Sequence, residues 1–283
     1  MTMAKVRVDV LAASRGLFPS REAARRAIMA GLVTCNGVRV DKPGTMVAED
    51  AVLTTERAEH SYVGRGGLKL ERALRRFDVR LDGKVVVDVG ASTGGFTDCA
   101  LQNGASLVYA VDVGYGQLAW RLRTDPRVRV MEKTNFRYVD PESFSPRPEV
   151  GVMDVSFIST RLLLPKLTEI LTPGGDIISL VKPQFEAGRD KVGKGGIVRD
   201  PCTHLAVLRD LVRWIYDHGL SCRGLDYSPI TGGDGNLEYL AWWHMDLESS
   251  LTDSSIWLAK ANEVVTLAWS ELRGEQVDLS ACE

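Results

Sequence analysis

The chain has 283 residues, 45% of them hydrophobic and 25% charged, with a formal net charge of -2 at pH 7. These ordinary globular values allow a sizeable core and more than one domain, and they exclude a low-complexity chain or a uniformly cationic nucleic-acid binder. No run reaches the ~18 apolar residues of a membrane span, and the start at Met1 lacks the apolar centre of a signal peptide. The five cysteines (Cys35, Cys99, Cys202, Cys222 and Cys282) form no CxxC pair and no metal spacing. Their odd number and wide dispersion predict reduced thiols in a cytoplasmic protein.

Residues 1–58 read as a small separate unit. Val6 to Leu17 predicts one short helix, with Val10, Leu11 and Leu17 facing inward. After a break at Phe18-Pro19-Ser20, Ser20 is placed to cap a second helix over Arg21–Ala30, and Gly31 to stop it. Asn36-Gly37 between two short β runs is a strong hairpin signal, and Ala51–Thr55 adds a further strand. Arg15, Arg21, Arg25 and Arg26 lie on or near the helices, and from charge alone they suit a solvated helix face. Yet Ser20-Arg21-x-x-Ala24-x-x-x-Ile28 ahead of Gly31-x-Val33-x-x-Asn36-Gly37 resembles the RNA-binding domain named after ribosomal protein S-four. That resemblance implies that these arginines are phosphate contacts, giving affinity more than sequence choice.

Residues 59–63 read as a connector. Gly64-Arg65-Gly66-Gly67-Leu68-Lys69-Leu70 then leads into a basic helix carrying Arg72, Arg75 and Arg76, with Leu70, Leu74 and Phe77 at helical spacing. A glycine-lined turn before a basic helix leaves backbone N–H groups free for a phosphate, so Arg65 and Arg72 join the candidate RNA contacts. A solvated face remains the plain alternative.

From Lys84 onward, runs at 84–89, 107–112, 127–132, 150–154, 176–181, 221–226 and 237–243 predict strands. Stretches at 96–104, 117–123, 160–171 and 202–218 predict helices between them. This alternation implies an α/β fold over 64–283: a doubly wound, mostly parallel, seven-stranded Rossmann-like sheet behind the small α+β unit. Its ligand sites belong at the carboxyl ends of the strands. Ser254–Leu272 predicts a surface helix, followed by a frayed end.

The glycine turn after the first of these strands allows three chemistries. A dinucleotide site needs Gly-x-Gly-x-x-Gly, but Ser92 stands where the second glycine would let backbone approach a pyrophosphate. Gly90-Ala91-Ser92-Thr93-Gly94 matches the Gly-x-Ser-x-Gly nucleophile elbow, yet His204, His218 and His244 fall in or at the ends of regular elements rather than in the loops a hydrolase requires. The third chemistry is a methyltransferase turn for S-adenosylmethionine. Asp112 lies about 20 residues past the turn, at the strand end where ribose hydroxyls are recognised. Its position favours a nucleoside ligand. Gly90, Ser92, Thr93, Gly94, Gly95, Phe96, Thr97, Asp112 and Asp154 are then the expected cofactor contacts, and Asp88 either faces the cofactor or caps the turn.

Gly188–Gly195 approaches a phosphate-binding loop but has Gly195 where Ser or Thr should hold magnesium. Residues 186–199 read instead as a mobile, basic, glycine-rich loop closing over substrate. Asp154, Lys182 and Glu238 stand at strand ends on the rim that carries the glycine turn, with Lys69 on the preceding helix. A ribose 2′-hydroxyl is a poor nucleophile that needs a base. Burial and the neighbouring Lys69 cation favour a neutral amine at Lys182, while Asp154 and Glu238 oppose that and hold it in place. Lys182 is the expected general base.

The segments 64–70, Asp88–Thr97, Asp112–Leu118, Asp154–Ser159, Lys182–Glu186 and Gly235–Tyr239 together resemble the TlyA family of hemolysin-A-like ribosomal RNA methyltransferases, nearly end to end. The resemblance implies an S-four-type domain joined to an FtsJ-like domain that moves methyl from S-adenosylmethionine to cytidine 2′-hydroxyls of ribosomal RNA. It also implies a Lys-Asp-Lys-Glu tetrad falling on Lys69, Asp154, Lys182 and Glu238. One departure is Arg57-Ala58-Glu59-His60, where some members have an Arg-Ala-Trp-like segment. Two rival readings are an RNA-binding assembly factor with little methyl transfer and, from the family's name, a membrane-active hemolysin.

Overall fold

The computed structural model describes residues 5–18, 20–29, 31–55, 62–246 and 254–282. The start of the chain, the break at Pro19, the Arg57–His60 departure and most of the 59–63 connector lie outside the described residues, as does the side chain of Arg26. The chain divides into two compact units, Met1–Ser61 and Tyr62–Glu283.

The first unit runs β1 (Lys5–Arg7), α1 (Val8–Ser14), α2 (Arg21–Met29), β2 (Val33–Cys35), β3 (Val38–Val40), β4 (Met46–Ala48) and β5 (Leu53–Thr55). Asn36 and Gly37 take φ 51 and 79, the double positive φ of the tight hairpin turn joining β2 and β3. The backbone N–H of Ala23 donates to Ser20 Oγ at 3.1 Å, which caps α2. The expected helix from Val6 is corrected: Lys5–Arg7 is extended and pairs antiparallel with Met46–Ala48. That partner lies far along the chain, so local periodicity could not reveal it. Leu17, expected inside, is exposed, while Val8, Leu11, Ala24, Ile28 and Val33 form the core.

The second unit runs α3 (Gly66–Phe77), β6 (Val85–Val89), α4 (Gly95–Gln102), β7 (Leu107–Val111), α5 (Trp120–Arg123), β8 (Val128–Met131), β9 (Val150–Met153), α6 (Leu164–Ile170), β10 (Asp176–Val181), α7 (Pro183–Glu186), α8 (Pro201–Asp217), β11 (Leu220–Tyr227), β12 (Tyr239–Met245) and α9 (Ser255–Arg273). All seven expected strands join one sheet in the order β11-β12-β10-β9-β6-β7-β8. Pairing is parallel except that β12 runs against both β10 and β11. Strand β6 is the switch point: β7 and β8 continue to one side, β9 and β10 to the other. A crevice therefore opens beyond the carboxyl ends of β6 and β9.

Period-two alternation divides the core. Val86, Val108, Val152 and Ile178 pack with Leu70, Leu74, Cys99 and Leu122 on the face of α3, α4 and α5. Val87, Val89, Tyr109 and Ile177 pack with Leu167, Leu208, Val265 and Trp269 on the face of α6, α8 and α9. The helix expected over 160–171 begins only at Leu164, after a 3₁₀ turn at Thr160–Leu162. Pro165 explains this, since proline is tolerated only in a helix's first turn. Helix α9 lies at the surface as expected and packs one stripe, Ala261, Val264, Val265, Ala268 and Trp269, on the core. The end is not frayed: Val277 and Leu279 pack against the core, and Cys282 is disulfide-bonded to Cys202. The expectation of five reduced thiols is corrected to three, Cys35, Cys99 and Cys222.

Candidate active site

At the end of β6 the chain turns at Gly90, φ 85. A Cβ there would lie 2.7 Å from the Asp154 carbonyl oxygen, so only glycine lets the turn pass this close to the end of β9. Ser92 donates its backbone N–H to Asp112 Oδ2 at 2.8 Å, and Gly114 donates to Oδ1 at 2.6 Å. The Asp112 carboxylate is thereby held at the strand end. A Cβ on Gly95 would come 2.9 Å from the Gly67 nitrogen. That close approach seats the first turn of α3 on α4 and brings Lys69 to the crevice.

Two adjoining cavities result. One of about 240 Å³ is lined by Gly90, Ser92, Thr93, Gly95 and Phe96, together with Gly64, Arg65, Asp154, Ser156 and Lys182. The other, about 370 Å³, has Val111, Val113, Phe136, Ile158 and Leu163 around Asp112. They share Gly90, Ser92, Asp154 and Ser156. An apolar slot edged by a carboxylate, opening into a polar pocket, can hold a nucleoside that carries a charged tail. The residues present therefore fit S-adenosylmethionine, which Asp112 and the glycine turn would hold.

Three expected cofactor contacts lie elsewhere. Asp88 and Thr97 are fully buried, and the Thr97 hydroxyl donates to Asp88 Oδ2 at 2.6 Å. Gly94 packs beneath Leu118 and Leu122. None of the three lines either cavity; they brace the turn from below. Burial, opposed by the Thr97 hydrogen bond, pushes the Asp88 carboxyl up to about 7.

Lys69, Asp154, Lys182 and Glu238 come together from α3 and the ends of β9, β10 and the loop before β12. Lys182 Nζ lies 2.6 Å from Asp154 Oδ1 and donates to Ser156 Oγ at 3.2 Å. Lys69 Nζ lies 2.6 Å from Glu238 Oε2 and 3.7 Å from Asp154 Oδ2. Burial works against the Lys69 charge, but the carboxylates of Asp154 and Glu238 outweigh it and raise its pKa. Lys69 is thus the fixed cation, and Asp154 bridges the two amines.

Two residues here escaped the sequence reading. Phe157 is 91% exposed and holds φ 65, a costly conformation for a bulky residue. Its ring sits 5.2 Å from that of Phe185 at the cavity mouth. Glu186 accepts from the Ser159 hydroxyl at 2.6 Å, the Thr160 N–H at 2.7 Å and the Thr160 hydroxyl at 2.9 Å. It clamps the loop after β9 to the segment carrying Lys182. Both lie in segments that carry the family resemblance, but neither residue was given a role from the sequence.

The expected RNA contacts are unequally free. Arg72 makes a bidentate ion pair with Asp226, at 2.9 and 3.2 Å, and lies over the Tyr227 ring. It anchors α3 to β11 rather than facing solvent. In the first unit Arg15 donates to the carbonyls of Ala51 and Glu49. Arg21 shares Asp9 with Arg7, and these two guanidiniums, Arg7 foremost, hold the Asp9 carboxyl down to about 2. Among the described residues Arg25 has only a 3.8 Å contact with Glu22, and Arg65 is exposed at the cavity mouth.

Comparison with known proteins agrees with this architecture. The FtsJ-like methyltransferase model matches residues 62–245, and the S4 domain model matches residues 6–53. YqxC of Bacillus subtilis is 57% identical over 86% of this chain and 87% of its own length. The 16S/23S rRNA (cytidine-2'-O)-methyltransferase TlyA of Mycobacterium tuberculosis is 42% identical over 88% of this chain and 93% of its own. The solved structure of a candidate hemolysin from Streptococcus thermophilus superposes with a TM-score of 0.75 at 48% identity, covering 96% of this chain and 98% of that one. With an FtsJ-like fold, an S4 domain and relatives this similar over nearly their whole length, the chain belongs to the TlyA family of FtsJ-like methyltransferases.

Proposed function

We propose that this protein transfers a methyl group from S-adenosylmethionine to the 2′-hydroxyl of a cytidine in ribosomal RNA. The observation that carries the reading is the Lys182–Asp154–Lys69–Glu238 chain of contacts, floored by the glycine turn. S-adenosylmethionine, when bound in the two cavities, supplies an electrophilic methyl group. The residues of the chain do the rest. Lys182 Nζ would take the proton from the ribose hydroxyl as that oxygen accepts the methyl group, the thioether being what the cofactor leaves behind. Asp154 holds that amine in place and, with Glu238, keeps Lys69 charged. Lys69 shares the Asp154 carboxylate with that amine. Phe157 and Phe185 offer a stacking face at the mouth for the target base or its neighbour, since base–aromatic stacking steadies an unstacked nucleotide. The S4 domain and Arg65 add phosphate contacts.

Transfer of labelled methyl to unmodified ribosomal subunits, with mapping of the nucleotide, tests the reading. Lys182→Ala should lower the rate by about a hundredfold or more, with cofactor and RNA binding retained; unchanged turnover would remove Lys182 from the role of base. RNA binding without any transfer by the native protein would favour an assembly factor. The relative named Hemolysin A in Brachyspira hyodysenteriae is 41% identical over 83% of this chain, but among the described residues no helix is long and apolar enough to cross a membrane. Lysis of liposomes by protein that binds no S-adenosylmethionine would favour that name.

A further inference from the structure

The segment from Gly188 to Arg199 lines neither cavity. Arg189, Lys191, Lys194 and Arg199 are all exposed. Among the described residues Arg189, Lys191 and Lys194 have no ion-pair partner, and Arg199 reaches only the Lys194 carbonyl, at 3.5 Å. The single acid between them is Asp190. In a chain of net charge -2, this is a local reversal of sign.

The segment's C-terminal part is fastened. The N–H of Gly193 donates to Ile197 O at 3.0 Å. Asn236, 2% exposed, donates to Gly196 O at 2.9 Å and accepts from Val198 N–H at 3.2 Å. His204 Nε2 lies 3.0 Å from Val198 O, and Nδ1 lies 2.7 Å from the Tyr239 hydroxyl. A carbonyl can only accept, so Nε2 carries the proton and Nδ1 accepts from Tyr239. Asn236 and Tyr239 bracket Glu238. The C-terminal part of the basic segment is therefore tied to chain carrying Glu238, and its N-terminal end follows the short helix that begins after Lys182. The segment is not a nucleotide phosphate loop. The Asp200 carboxylate accepts from the N–H groups of Cys202 and Thr203 at 3.2 and 3.0 Å, so an anion already occupies the start of α8.

We propose that residues 189–199 form an RNA-backbone clamp, in which Arg189, Lys191, Lys194 and Arg199 seat phosphates of the substrate strand beside the cleft. This rests on the RNA methyltransferase reading. A ribose presented to Lys182 carries a phosphodiester on each side, so the strand must run its anions along this rim. Glycines flanking the cations leave little side-chain bulk between them and the backbone of the strand.

The test is the Lys191→Ala/Lys194→Ala/Arg199→Ala variant of the full chain, compared with the native protein in two assays. In methyl transfer to unmodified subunits, KM for RNA should rise roughly tenfold, and its dependence on log salt should flatten by about two. kcat at saturating RNA and affinity for S-adenosylmethionine should stay unchanged. In direct binding to the same RNA, affinity and salt slope should fall in parallel. Unchanged KM and slope in an active variant overturn the clamp. Should the native protein transfer no methyl group, the functional reading fails instead, and the binding assay alone decides the clamp: equal affinity and slope for the two proteins overturn it.

Discussion

Asp88 shows how one strand position can set a pH dependence. It shares with Val86 the face of β6 that packs on α3 and α4, and it is fully buried. One carboxylate oxygen accepts from Thr97; the other has no partner among the described residues. Its folded pKa of about 7 stands well above the ~3.9 of an unfolded aspartate. Between those values the folded chain holds a proton that the unfolded chain has released. The stabilising contribution is therefore fully present below about pH 4 and is lost as pH rises through 7. Asp88→Asn keeps an acceptor for Thr97 but cannot ionise. Thermal unfolding between pH 5 and pH 8 should show the variant gaining several degrees on the native protein toward pH 8. Parallel curves would mean that Asp88 does not titrate in this range.

Glu186 acts between two elements. Three hydrogen bonds from Ser159 and Thr160 end on its carboxylate, and they fix the loop carrying Ser156 and Phe157 against the segment carrying Lys182 and Phe185. Glu186→Ala should cut kcat by about tenfold, the scale of two to three lost hydrogen bonds shared over a loop, with affinity for S-adenosylmethionine little changed. Glu186→Gln still accepts from Thr160 and can donate to the Ser159 oxygen, so it should restore most of the rate. A glutamine variant as slow as the alanine one would point to the charge itself rather than to the clamp. The sequence made the strands legible because apolar β-branched runs, followed by Gly90, Asp154 and Lys182, announce where β6, β9 and β10 stop. Lys69 was legible because a basic helix follows a glycine turn. The clamp and Phe157 lie in a loop with no period, where φ 65 falls on a residue that does not announce it. The direction of Asp88 was illegible for another reason: it depends on which face of the strand is packed, and a strand buried on both faces looks apolar throughout.

At the scale of the methyltransferase unit, its last residues close a long loop. The Cys202–Cys282 bond joins the first turn of α8 to the chain end at a sequence separation of 80, with Val277 and Leu279 packed on the same core. Dispersed cysteines give no hint of such a pair, because only the fold brings them together. Cross-linking a loop of this length restricts the unfolded chain and contributes about 2–4 kcal/mol, several degrees of Tm for a unit of this size. Cys282→Ser should lower Tm by that amount, and reductant should lower the native protein equally while leaving the variant unmoved. Cys202 stands between the Asp200 cap and the His204 strut of the basic segment, but neither contact passes through sulfur. KM for RNA should therefore hold in Cys282→Ser at temperatures where it stays folded. A rise in KM together with the fall in Tm would show that the chain end supports the RNA-binding rim as well as the core.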